Sequence, residues 1–209
     1  MEIYHPEEKE VLREMRRVRR SDRIRRLAWG LLIFTVLAVA AGWFTFNRYF
    51  TLAEVRGPGM EDTLYSGDLV LCRRTDAGEA LRPGDLALYS HGGAWQIKRV
   101  IAAAGDRVVV SGDGEVRVNG TVIEESYAAG NALDTGIPAR RINLDAGEIF
   151  VLGDERSLSV DSRSAEFGVV REEDVIGTAE YVLWPLYRTR SLKQSEPAEQ
   201  TAEEGGSTP

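Results

Sequence analysis

Three stretches of this 209-residue chain carry side chains suited to covalent or acid–base chemistry. Lys98 lies in the run Gln96-Ile97-Lys98-Arg99-Val100-Ile101. A lysine acts as a base near neutral pH only where burial disfavours its ammonium form enough to pull its pKa well below about 10.4. The apolar neighbours Ile97, Val100 and Ile101 fit such a setting. Taken alone, the plainer reading is an exposed strand lysine paired with one of many carboxylates. The second stretch runs from Gly153 to Arg163 as GDERSLSVDSR, mixing acids, hydroxyls and arginines. A hydroxyl there can accept from an amine, and an Asp–Arg pair can form a bidentate bridge that stiffens a loop. Taken alone, it is an ordinary polar turn cluster. The third stretch is Arg56-Gly57-Pro58-Gly59-Met60-Glu61-Asp62-Thr63-Leu64, in which Thr63 is the only hydroxyl and no cysteine occurs.

In this order, and together with Arg82-Pro83-Gly84-Asp85, Gly105-Asp106 and an Asn-Gly hairpin, these stretches resemble the type I signal peptidases, whose nucleophile motif reads S-M-x-P-T-L. The resemblance covers nearly all of residues 27–186. It implies a mainly β fold, an antiparallel β outer domain with one N-terminal transmembrane helix, and a serine–lysine dyad without cofactor or metal. Carried over position by position, Lys98 stands at the general base and Ser159 at the residue that orients it, while Asp161 and Arg163 brace the site. Asp154 and Arg156 are expected to supply a second such pair, and Gly57, Pro58 and Met60 to belong to the substrate groove.

The sequence departs from the motif at three positions. Gly59 stands where the family has its catalytic serine, Asp62 where it has proline, and Glu155 where it has asparagine. Glycine has neither hydroxyl nor thiol and forms no acyl-enzyme. Loss of the nucleophile in a serine hydrolase costs on the order of 10⁶ in turnover, which a retained lysine does not rescue. Asp62 frees a backbone angle that proline would pre-set, and it is expected to place an anion near Lys98 that favours the ammonium form. Thr63 and Ser66 are the nearest hydroxyls. Strand geometry advances about 3.3 Å per residue with alternating faces, so Ser66 does not fall on the missing serine's place, and Thr63 matches the family's own threonine.

These residues need a scaffold, and the N-terminal part of it is a span. Leu27–Phe46 holds 20 residues without a charge. At about 1.5 Å per residue it crosses a hydrocarbon core of about 30 Å. Residues 1–26 hold nine basic against six acidic side chains, whereas Arg48 is the only cation between the span and Arg56. That asymmetry keeps the N-terminus cytoplasmic and the remainder extracytoplasmic. A cleaved signal peptide is the competing reading, but its apolar region is usually shorter, and Thr51-Leu52-Ala53 is a poor cleavage site.

Residues 47–188 are expected to form one outer domain with a core, and 189–209 a disordered tail rich in Ser, Glu, Pro, Gly and Thr. Strand-length pieces at Leu69–Cys72, Leu86–Tyr89, Trp95–Ala102, Arg107–Ser111, Glu115–Val118, Thr121–Ile123, Ile149–Leu152 and Ala179–Leu183 are separated by Gly-Asp, Asp-Gly and Asn-Gly dipeptides. That pattern predicts antiparallel strands. Beyond the span the chain carries 17 basic against 27 acidic side chains, which disfavours nucleic acid as a partner. With Cys72 as the sole cysteine, no intrachain disulfide forms. The expected role is a membrane protein of the export pathway that binds signal-peptide-bearing preproteins or pilin-like clients without cutting them, with an active peptidase using another nucleophile as the alternative.

Overall fold

The computed structural model describes residues 8–75, 79–112, 114–123, 125–128 and 139–192, with side chains from residue 24 onward. The chain divides into two compact units, Met1–Arg48 and Tyr49–Pro209. The first is a helix, α1, Glu8–Tyr49. Its segment Ile24–Tyr49 is long and apolar enough to cross a membrane, with a mean hydropathy of 2.1 and no buried residue. The basic segment thus continues the expected span as helix rather than preceding it as a separate element.

The second unit is built from antiparallel strands. They are β1 (Phe50–Glu54), β2 (Leu69–Arg74), β3 (Leu86–His91), β4 (Ala94–Ala102), β5 (Arg107–Val110), β6 (Val116–Val118), β7 (Thr121–Val122), β8 (Arg140–Asn143), β9 (Glu148–Leu152), β10 (Val170–Arg171), β11 (Val175–Trp184) and β12 (Arg190–Ser191). The larger sheet runs β1-β2-β11-β3-β4-β9-β10, with β12 on β11, and the smaller runs β7-β6-β5-β8. The predicted mainly antiparallel β architecture is therefore the one observed. Alternation along β3 shows how the larger sheet buries both faces. Leu86 and Leu88 join a core with Val55, Met60, Leu64, Val70 and Ile97, whereas Ala87 and Tyr89 join another with Val100, Ile149 and Val151. A third core, around Val108, Val110, Ile142, Phe150 and Leu152, joins β4 and β9 to the smaller sheet.

The Asn119-Gly120 turn has both residues at positive φ, 53° and 87°, as a two-residue hairpin of this twist demands. Four strands lie outside the predicted set. Phe50–Glu54 follows the helix with no turn residue between, so its sequence marks no boundary, and Arg140–Asn143 has one apolar residue, Ile142, to signal burial. The predicted tail is revised at its start, because Arg190–Ser191 pairs with Tyr181–Val182. Residues 193–209 lie outside the described residues, as does Asp113 of the predicted Asp113-Gly114 turn.

Candidate active site

Lys98 is held in the middle of β4, opposite Ala87 of β3. It is 8% exposed. Two loops meet it there. The first is the turn after β1, closed by Glu61 N to Pro58 O at 3.0 Å and Leu64 N to Met60 O at 2.6 Å. Met60 and Leu64 are buried in the core, which fixes Gly59, the residue just before them, against the lysine. The second is the loop after β9, which brings Ser159 to within 2.7 Å of Lys98 Nζ, its hydroxyl accepting from the amine. A Cβ built on Gly59 would lie 2.7 Å from Lys98 Nζ and 3.4 Å from Ser159 Cβ. The absent side chain therefore points straight at the lysine amine. The loops also touch through backbone, Glu155 N donating to Gly59 O at 3.3 Å. Gly153 is there because nothing larger fits, since a Cβ on it would lie 2.3 Å from Gly59 O and 2.2 Å from Ser159 Oγ.

Beneath the site lies a buried pair that sequence reading missed. Arg99 Nε and Nη2 donate to Asp154 Oδ1 and Oδ2 at 2.8 and 2.6 Å. The same guanidinium donates to Gly84 O at 3.0 Å and to Thr63 Oγ1 at 3.3 Å, and lies 4.1 Å from the Tyr127 ring centroid. Thr63 in turn donates to Asp154 Oδ2 at 2.5 Å. Asp154 is thus paired with Arg99, not with Arg156 as expected; Arg156 binds Glu125 and Gly153 O. The missed signal was the alternation of β4: with Lys98 and Arg99 adjacent in an apolar strand, the arginine turned to the opposite face needs a buried carboxylate. Asp161 and Arg163 form a second bidentate pair at 2.8 and 3.0 Å. Asp161 also accepts from Gly153 N at 3.0 Å, and Arg163 donates to Arg156 O and Ser159 O.

Burial is the main reason that the Lys98 pKa is pushed below that of a free lysine; Asp161 and Asp154 oppose the shift and Arg163 adds to it. Asp62 is not among the charges acting on Lys98. It is exposed and adopts φ 75°, an angle closed to proline. The expected effect of its charge on the lysine is corrected by this, whereas the backbone angle that proline would have pre-set is in use here, in a turn that proline cannot enter. Thr63 is engaged in the buried pair, and Ser66 Oγ accepts from Gly57 N at 3.4 Å on the exposed side of the turn. Ser159 is the hydroxyl bonded to Lys98.

A cleft of about 230 Å³ opens beside the amine, lined by Val55, Gly57, Gly59, Met60, Leu88 and Ile97 among others. Gly57 and Met60 line it as expected of groove residues, whereas Pro58 is exposed outside its lining. A larger hollow of about 730 Å³, at Glu79, Glu148, Glu172 and Glu173, contains none of the residues expected to do chemistry. Ala94–Lys98 pairs with β3 along one side. Among the described residues no strand pairs its other side, which is occupied by β9 only from Arg99 onward. β1 is likewise an edge strand.

The family model "Signal peptidase, peptidase S26" matches residues 26–184. "Signal peptidase I T" of Bacillus subtilis (strain 168) is 28% identical over 180 residues, covering 80% of this chain and 90% of that protein. "Signal peptidase I" of Bacillus amyloliquefaciens is 29% identical over 178 residues, covering 79% and 89%. A crystal structure of a signal peptidase I from Enterococcus faecalis V583 aligns at 25% identity with a TM-score of 0.40, over 48% of this chain and 97% of that one.

Two outcomes test the site's energetics. Asp154→Ala, which strands the Arg99 charge, is expected to cost about 3–5 kcal/mol in denaturant unfolding, and the double replacement Arg99→Met with Asp154→Leu far less. A loss no larger than that of a surface mutation would show that the pair does not hold the loops. The second concerns pH. Between the lowered native pKa of Lys98 and its unfolded value of about 10.4, the unfolded chain binds a proton that the folded chain does not, so stability rises with pH in that window. Wild type is expected to gain stability relative to Lys98→Met as pH climbs towards 10.4; a constant difference would contradict the lowered pKa.

Proposed function

The chain belongs to the signal peptidase family, and from that footing we propose that it is a membrane-anchored, non-catalytic member that holds an extended segment of an exported precursor in the cleft between Gly59 and Lys98. The observation that carries this reading is the direction of the missing side chain. A serine at position 59 would face the buried lysine directly, and the glycine leaves that lysine, Ser159 and both bracing pairs in place with no acyl-forming oxygen. Binding needs no such oxygen. The open edges of β1 and of Ala94–Lys98 flank the cleft, which suits the addition of an extended peptide through backbone hydrogen bonds, with small side chains set into apolar walls. Signal-peptide-bearing preproteins supply such segments, as do pilin-like surface proteins. The helix Ile24–Tyr49 anchors the protein in the cell membrane, with the arginine-rich end in the cytoplasm and the β domain outside.

A second reading, an active peptidase with a displaced nucleophile, has one observation in its favour. Ser159 Oγ already lies 2.7 Å from Lys98 Nζ. The two readings separate in one assay: wild type is expected to bind precursors carrying an Ala-x-Ala site and leave them uncut. Cleavage that vanishes in both Lys98→Ala and Ser159→Ala would overturn the non-catalytic reading.

Gly59→Ser is expected to gain measurable hydrolysis. The added Cβ is too close to Nζ, but that atom is the free end of a flexible side chain and can retreat a few tenths of an ångström. Adding Asp62→Pro is expected to remove the gain and weaken the fold, because the turn holds residue 62 at φ 75°. A double variant more active than Gly59→Ser would show that the turn readily adopts another form. For topology, protease added outside intact cells is expected to digest the β domain and spare the arginine-rich end; a soluble form lacking the helix would instead mark a cleaved leader.

A further inference from the structure

The proposed cleft leaves open which part of a peptide sits against Lys98, and three features of the site bear on that. The first is an atom count. When a serine attacks, the acyl carbon's third heavy neighbour is the protein's own Oγ; once that carbon has been hydrolysed, the corresponding neighbour is the second oxygen of the peptide's carboxylate. Glycine withdraws the protein's oxygen and leaves the amine open to the ligand's. The direction of the missing side chain leads to Lys98 Nζ: a Cβ on Gly59 would lie 2.7 Å from it, so no side-chain atom of residue 59 stands before the amine. A ligand oxygen resting against Gly59 Cα, beside the line from Cα to Nζ rather than on it, lies within reach of an ammonium–carboxylate bond.

The second feature is charge. Lys98 Nζ has three N–H donors when protonated, and one of them goes to Ser159 Oγ. The carboxylates that act on it, Asp161 and Asp154, are bound bidentately by Arg163 and Arg99. Among the described residues no carboxylate forms an ion pair with Lys98, although the side chain is buried. A buried ammonium without a counter-ion is costly, and an arriving carboxylate relieves that cost. An uncut chain passing through the site offers only a neutral amide at the same place. The third feature is size. At about 230 Å³ the cleft is below the roughly 300 Å³ of ordinary small-molecule sites, and its walls Val55, Met60, Leu88 and Ile97 suit small apolar residues.

We propose that the Gly59–Lys98 site recognises the free C-terminal carboxylate of a peptide ending in a small residue, which is the product of a proteolytic cut rather than its substrate. This rests on the reading of the cleft as a site for extended peptides and specifies its ligand. The reaction that must supply the ligand is hydrolysis after a small side chain, carried out by another protein.

The test uses the full chain in detergent micelles and three dye-labelled peptides followed by fluorescence anisotropy. All share one sequence up to Ala-Leu-Ala; the first ends there as the free acid, the second as the amide, and the third continues beyond. At neutral pH the acid is expected to bind about tenfold or more tightly than the amide, the increment of a charge-assisted hydrogen bond. The preference should vanish in Lys98→Met, and in Gly59→Ala, which keeps the lysine but fills the approach. It should also narrow as pH rises and Lys98 loses its proton. The other charged groups that face it are Asp154 and Asp161, each bound bidentately by Arg99 or Arg163, while Glu54 and Arg56 at the cleft are exposed. Equal affinity for acid and amide, or tightest binding of the continuing peptide, overturns this inference while leaving the peptide cleft standing. Failure to bind any of the three overturns both.

Discussion

The buried pair of Arg99 with Asp154 is the constraint from which the rest of the site follows. Two charges removed from water are tolerated only when geometry and hydrogen bonding are nearly complete, and here both oxygens of the aspartate and three nitrogens of the arginine are engaged. To complete them the pair draws on Thr63 from the turn after β1, Gly84 before β3, and the loop after β9 that carries Asp154 itself. Satisfying one guanidinium therefore registers all three segments to β4. Strand alternation then turns Lys98 the other way, to a face where no carboxylate is free to pair with it. The lowered pKa of the lysine and the full pairing of its neighbour have the same origin in two consecutive residues of one strand.

Replacement of the nucleophile by glycine has not loosened this arrangement. Glycine ordinarily adds backbone freedom, yet Gly59 is bracketed by the buried Met60, by Glu155 N on its carbonyl, and by the amine its side chain would have met. Gly153 allows Ser159 and the Gly59 carbonyl to approach together, and Asp161 holds the Gly153 amide from below. A site whose lysine had become idle could let that lysine extend to solvent and pair there. Instead Lys98 stays buried on Ser159, a cost that makes sense where a ligand compensates it.

Local patterns were legible in the sequence and distant pairings were not. The span, the Asn119-Gly120 hairpin and eight of the strands are signalled by composition, period and turn residues over a few positions. The neighbourhood of Lys98, Gly59 and Ser159 came from ordered motifs, which name positions without giving geometry. The partner of Asp154 lies 55 residues away, and the carboxylate that takes Arg156 lies 31 residues away. Proximity in sequence favoured pairing Asp154 with Arg156, but that arginine is turned towards Glu125, and a list of residue types cannot reveal which face a loop presents. Asp62 is a similar case. Its charge is obvious in the sequence, whereas its left-handed φ and exposure, which remove its influence on Lys98, are properties of the folded turn.

That turn shows how the chain manages without the family's proline. Proline stiffens by restricting one angle; here stiffness is assembled from contacts with the far end of the domain. Arg188, from the segment after β11, pairs with the buried Asp68 and lies over the Tyr65 ring. Arg190 of β12 donates to the carbonyls of Thr63 and Asp62. Met60 and Leu64 enter the core from one side while Thr63 enters the buried ion pair from the other. The backbone at Gly59 is thereby held from its flanks, with no demand on residue 59 itself. A glycine fixed in this way leaves a space of defined shape beside the Lys98 amine instead of a flexible gap. Preorganisation of that kind lowers the ordering cost of binding, which is why loss of the nucleophile leaves a site fit for recognition.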